Sequence, residues 1–174
     1  MIIVFTGNGK GKTSAALGTA LRSLGWKKKV VIIQFIKGNK EIGEWKSAKE
    51  NNIDMFQFYE EEKYNIGVPG EKYREGCQRA WEFVKDIIKK KKYDLIILDE
   101  IINAMFYKLV DEKEVIDFLK KANVKGGAPK GLDIVLTGRG ASEKLVKIAD
   151  IATDMKELKH SFKQGIPAKK GIDY

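Results

Sequence analysis

Five mostly apolar residues, IIVFT (Ile2–Thr6), run straight into GNGKGKTS, residues 7–14. This junction limits the fold more than any other part of the chain. The apolar run reads as a buried strand, and the glycines end it. From Lys12 onward Ala16, Leu17, Ala20, Leu21 and Leu24 recur at the spacing of one helix face, and Gly25 closes the helix. A glycine-rich turn between a strand and a helix aims several backbone N–H groups at one point. The helix N-terminus adds a partial positive charge there, so the turn attracts phosphate. Gly7, Gly9 and Gly11 leave the backbone open to close approach, Lys12 can reach phosphate oxygens, and the Thr13 hydroxyl can ligate Mg²⁺. The usual spacing of such loops would place the first glycine at position 6, which is Thr6; Gly7 stands one residue late.

Continuous apolar runs alternate with amphipathic stretches along the rest of the chain. Strands are expected at residues 30–35, 54–58, 93–100, 132–140 and 151–155. Helices are expected at 43–50, 71–91, 111–121 and 142–149. The long one places Cys77, Ala80, Trp81, Val84, Ile87 and Ile88 on one side. Strands apolar on both faces, alternating with helices, indicate an α/β fold with a mostly parallel sheet of about six strands covered on both faces. With 174 residues, no repeat and no linker, one P-loop NTPase-like (RecA-like) domain is expected over residues 1–174, ending in a basic tail at 159–174 that closes over the site.

No apolar run has membrane-span length, and the chain opens on strand one, so neither a membrane segment nor a signal peptide is expected. A lone Cys77 cannot form an internal disulfide and suits the cytoplasm. The net charge of +9 raises nucleic acid as a partner, but the 33 basic residues are spread among 24 acidic ones. The run at residues 89–92 ends a helix, where cations are favoured, so a solvated lysine-rich surface is the better reading.

Two further stations belong with the loop. Apolar residues 95–98 lead into Asp99 and Glu100, and the C-terminal edge of an open sheet is where α/β proteins bind ligands. Carboxylates there supply the counter-charge for a Mg²⁺ held by the loop, which indicates a Mg-nucleoside triphosphate. TGRG, residues 137–140, leaves another strand at that edge and offers Arg139 as a phosphate clamp; a glycine turn with an exposed arginine is its alternative.

GNGKGKT followed by Ser14, VVIIQFIKG with Gly43 and Glu44, LDEIINA, VLTGRGA and the ending KHSFKQGIPAKKGIDY together resemble the phosphate-loop ATP:corrinoid adenosyltransferases, across nearly the whole chain. The resemblance implies that ATP lies reversed on the shortened loop and presents its ribose C5′ to Co(I) of a reduced corrinoid, with triphosphate leaving. It implies that Gly7, Asn8, Gly9, Lys10, Gly11, Lys12, Thr13 and Ser14 hold phosphates, and that Arg139 binds phosphate or shapes the pocket. Lys12, Thr13 and Glu100 would form the catalytic set. Thr13 and Glu100 would hold Mg²⁺ (or Mn²⁺), with Asp99 supporting that shell. An electron-donating reductase and a homodimer are implied as well. Aromatic wedges displace the lower axial ligand of the corrinoid in this family. Their local candidates are Phe58, Tyr59 and Tyr64, with a core Phe58 and surface tyrosines as the alternative.

Two other readings stand beside this one: a phosphate-loop ATPase or kinase in which Glu100 activates the nucleophile, and a basic nucleic-acid-binding module switched by ATP. His160 reads as tail surface, Cys77 and Trp81 as packing, and Trp26 and Trp45 carry no role.

Overall fold

The structure, a computed structural model, describes residues 1–59, 71–123 and 131–174. Six parallel strands form one sheet: β1 (Ile2–Thr6), β2 (Val30–Gln34), β3 (Asp54–Gln57), β4 (Leu95–Asp99), β5 (Asp133–Thr137) and β6 (Ile151–Asp154). Their order across the sheet is β3-β2-β4-β5-β1-β6. The helices are α1 (Lys12–Gly25), α2 (Gly43–Glu50), α3 (Glu71–Lys90), α4 (Ile101–Phe106), α5 (Glu112–Asn123) and α6 (Glu143–Ile148), with a 3₁₀ turn at Ser161–Gln164.

Every residue of β2 and β4 is buried, as expected of strands covered on both faces, whereas β6, at the edge, is exposed along its whole length. The larger core cluster joins the buried face of α3 (Cys77, Ala80, Trp81, Val84, Ile87, Ile88) to residues of β1, β2, β4, β5 and α5. The smaller one sets Ala16 and Ala20 of α1 against Ile32, Ile97 and Val135. Parallel pairing brings the C-terminal ends of β1, β2, β4 and β5 to one edge. The sequence motifs therefore meet there although they are far apart in the chain.

Three details differ from the sequence expectation. Leu21 is 65% exposed, because α1 meets the sheet through the narrow Ala16–Ala20 stripe and Leu21 lies to one side of it. Helix α4 starts directly after β4, with Glu100 turned into the left-handed region (φ 64°) between them. Its residues Ile101, Ile102, Ala104 and Met105 are all buried, so it lacks the polar face that betrays a helix in sequence. The 3₁₀ turn in the tail was not anticipated either. Among the described residues, no helix is long and apolar enough to cross a membrane.

Candidate functional site

The loop after β1 delivers Gly11 (φ 113°) to the start of α1, where no side chain caps the helix and no acid occupies the first turn. The orphan N–H groups of that turn face outward with the helix dipole behind them, which suits an anion. Two of the loop glycines have a second task. The Gly9 N–H donates to Met155 O at 2.7 Å, and a Cβ on Gly9 would lie 2.6 Å from Met155 O and 2.7 Å from Lys156 O. A Cβ on Gly7 (φ 101°) would lie 2.5 Å from Met155 O. The chain leaving β6 thus packs directly on the loop, and glycine is required there before any ligand arrives.

Lys12 is 9% exposed and folds back over the loop, its Nζ donating to Gly7 O at 2.8 Å and Gly9 O at 2.6 Å. Burial, then the positive charge of Arg139, lower its pKa from the ordinary lysine value. An ammonium held by two carbonyls is placed to exchange them for phosphate oxygens.

Behind the loop, Asp99 is 1% exposed and accepts from four side chains. Thr13 Oγ1 (2.9 Å) and Thr137 Oγ1 (2.7 Å) donate to its Oδ1; Gln34 Nε2 (3.0 Å) and Lys37 Nζ (3.1 Å) donate to its Oδ2. The donors come from α1, from β5, and from β2 and the segment after it. Burial alone would raise the Asp99 pKa, but the Lys37 charge and these bonds prevail and lower it. Thr137 Oγ1 also accepts the Glu100 N–H at 2.9 Å, which fixes the turn into α4.

Glu100 next door is the opposite case. Its Oε2 is buried with no hydrogen-bond partner. Burial, then the like charge of Asp99, push its carboxyl above the ordinary range. An orphaned carboxylate oxygen and, lining the same cavity, a Thr13 hydroxyl oriented by Asp99 are groups that could hold a divalent cation. Among the described residues no group of three or more His, Cys, Asp or Glu side chains could hold a metal ion. A Mg²⁺ bound chiefly through substrate phosphates needs only one or two protein ligands.

Lys37, which the sequence reading passed over, sits between these groups: its Nζ is 3.1 Å from Asp99 Oδ2, 3.5 Å from Thr13 Oγ1 and 3.6 Å from Glu44 Oε1. Burial works against its charge, but Asp99, Glu100 and Glu44 together raise its pKa. Its signal was available, since a lysine three residues beyond a wholly buried strand stands at the ligand edge of the sheet.

A cavity of about 680 Å³ opens in front of the loop. Gly9, Lys10, Gly11, Lys12, Thr13 and Ser14 line one end with Lys37, Glu44, Glu100 and Arg139; Leu17, Leu24, Ile32 and Ile53 line a more apolar end between α1 and α2. Residues Gly171, Ile172, Asp173 and Tyr174 supply another wall, and Asp173 forms an ion pair with Lys10 of the loop. His160 also reaches this wall, with its Nδ1 accepting the Phe162 N–H at 3.2 Å.

The residues expected from sequence thus separate into groups. Gly9 through Ser14, Glu100 and Arg139 line the cavity and Asp99 stands behind it, while Gly7 and Asn8 belong to the loop but not to the cavity wall. Arg139 is exposed, its N–H donating to Asn103 Oδ1 at 2.5 Å. Phe58 and Tyr59 are apart from the cavity: Phe58 packs on Phe83 with ring centres 5.3 Å apart, and Tyr59 stacks on Tyr73 at 4.1 Å. Tyr64 lies outside the described residues.

A family model described as ATP:corrinoid adenosyltransferase BtuR/CobO/CobP matches residues 1–174. A corrinoid adenosyltransferase of Sinorhizobium sp is 35% identical over 176 residues, covering all of this chain and 80% of its own length. One from Escherichia coli strain K12 is 33% identical over 182 residues, covering all of this chain and 85% of its own. Among solved structures, a KaiC-like protein from Pyrococcus horikoshii OT3 superimposes with a TM-score of 0.54 at 16% identity, over 89% of this chain and 71% of that one, a likeness of fold alone.

Proposed function

The chain belongs to the ATP:corrinoid adenosyltransferase family and is a transferase, and from that premise we propose how its site performs the transfer. The 5′-deoxyadenosyl group of ATP passes to Co(I) of a reduced corrinoid: the cobalt electron pair attacks the ribose C5′, the C5′–O bond breaks, and its electrons leave with triphosphate. The observation that carries this reading is the match of the family model to all 174 residues of a chain whose loop, Lys12 and Glu100 line one cavity.

A nucleophile as strong as Co(I) needs no activation by the protein. Two tasks remain. One is alignment of C5′ at about 3–3.5 Å from the attacking atom. The other is stabilisation of charge on the departing triphosphate. For the second, the first-turn amides of α1, Lys12 and Arg139 present positive groups toward the cavity. Thr13 Oγ1 and Glu100 are the groups that would hold a divalent cation, Mg²⁺ or Mn²⁺, with Asp99 orienting the threonine. Bound there, the cation would add positive charge to the leaving group. The tail at residues 171–174 screens the cavity from water. The same resemblance supports a cytoplasmic enzyme that receives electrons from a reductase and works as a homodimer.

Incubation with ATP and chemically reduced corrinoid should give inorganic triphosphate and a light-sensitive cobalt–carbon product in equal amounts; ADP and phosphate alone would overturn the reading. Lys12→Ala should lower turnover roughly 10²–10³-fold, the scale for loss of one charge-stabilising donor, with a far smaller effect on the melting temperature. Near-normal turnover in that variant would remove Lys12 from the mechanism.

A further inference from the structure

Lys37 occupies ground that a metal would need. Its ammonium lies 3.1 Å from Asp99 Oδ2 and 3.5 Å from Thr13 Oγ1, atoms that border the space where a divalent cation on the loop would sit. A monovalent and a divalent cation repel each other strongly at such separations in a partly dry site, so the two cannot share that place. Lys37 has somewhere to go. Its four-carbon stem is flexible, and its Nζ already lies 3.6 Å from Glu44 Oε1, in the first turn of α2 on the cavity wall. Lys37 and the loop residues Gly9 through Ser14 line the same cavity, so phosphate held by the loop would lie within the cavity that Lys37 faces.

We propose that Lys37 is the internal stand-in for the metal and a phosphate ligand of the loaded site. In the empty protein its ammonium neutralises Asp99; when triphosphate enters, with or without the cation, it turns from Asp99 to phosphate oxygens opposite Lys12, and the cation takes the ground it leaves. This rests on the loop being the triphosphate site. A carboxylate that is 1% exposed thus has a tethered cation as its ion-pair partner until the free one arrives.

The test uses two binding measurements that do not depend on turnover, applied to wild type, Lys37→Met and the charge-preserving Lys37→Arg. Inorganic tripolyphosphate is titrated by calorimetry in the presence of a chelator. Mn²⁺ alone is titrated by electron paramagnetic resonance without nucleotide. Lys37→Met should bind metal-free tripolyphosphate about tenfold more weakly, the scale of one charge-assisted hydrogen bond, and bind Mn²⁺ several-fold more tightly because its competitor is gone. Lys37→Arg should retain most of the tripolyphosphate affinity, and thermal melts should show both variants folded. An unchanged Mn²⁺ affinity in Lys37→Met overturns the stand-in role, and an unchanged tripolyphosphate affinity overturns the phosphate role. Wild-type protein that fails to bind tripolyphosphate, while Lys37→Met still gains Mn²⁺ affinity, sinks the loop assignment instead.

Discussion

Glu100 and Asp99 are neighbours in sequence with opposite fates, and the difference is one of partners. Asp99 accepts four side-chain hydrogen bonds, whereas Glu100 keeps a buried oxygen with none. Burial and the Asp99 charge raise the folded-state pKa of Glu100, so folding binds its proton more tightly than the unfolded chain does. The stability this contributes is complete below the unfolded carboxyl pKa of about 4.3 and is lost as pH rises through the raised folded value. Glu100→Gln, neutral throughout, should therefore melt higher than wild type at pH 7 in chelator. The gain should be of the order of 2–4 °C, the shift that about 1 kcal/mol gives in a chain of this size, and should shrink toward pH 4. Melting curves taken across pH would refute this if the gap stayed constant. Cys77 offers a second check. Burial pushes its thiol up to about 12, and its Sγ donates to Phe35 O at 3.3 Å. Because the thiolate is the reactive form, an alkylating reagent at pH 8 should leave folded protein unmodified and label it once in denaturant, as mass spectrometry would show.

At the scale of elements, the loop between β1 and α1 joins two constraints that the sequence shows as one. The glycine spacing announced a phosphate cradle, and the structure adds that Gly9 faces Met155 O and Lys156 O too closely for any side chain. Gly9→Ala should thus destabilise the fold by about 1–3 kcal/mol through overpacking against rigid backbone, measurable in denaturant titrations. Lys12→Ala should not, and that contrast separates the architectural glycine from the chemical lysine. The central strands were legible because they are apolar runs between turn residues; β3 (DMFQ) and β6 (IATD) are mixed, yet the observed ends of all six fall close to the expected ones. Helix α4 was not legible, since Ile101, Ile102, Ala104 and Met105 are buried and its exposed end is the apolar Phe106, which leaves no amphipathic period. Within the site, the local motifs could be read directly: Gly9 through Ser14, Asp99 with Glu100, and Arg139. Lys37 had only its place just past a buried strand to mark it, and Asp173 had no local signal, because it reaches the loop only through the returning tail. Phe58 shows the converse: an aromatic after a strand reads as a ligand wedge or as core, and only its packing on Phe83 shows where the ring lies.

For the molecule as a whole, the two ends of the chain converge on what lies between. The N-terminal ammonium bonds Leu132 O and Asp133 Oδ1, both at 3.0 Å, and the last residues return to the loop through Asp173 and Lys10. Removing residues 171–174 should raise the KM for ATP several-fold by opening one wall of the cavity. The melting temperature should fall by no more than about 2 °C, since an exposed ion pair contributes little. Steady-state kinetics on the truncated chain would show it, and an unaltered KM would deny the tail its closing role. The four-bond knot at Asp99 has an implication for anyone dissecting this enzyme. Through Gln34, Thr137, Thr13 and Lys37 that single acid fastens β2, β4, β5 and α1 at their chemical ends. A slip of one residue in either strand pairing would untie the cradle at the same stroke. An inert Asp99 variant would then be ambiguous testimony, speaking for a disordered sheet margin as much as for missing catalysis, whereas Glu100, joined to that margin only by its backbone, is the residue whose loss can be read as chemistry.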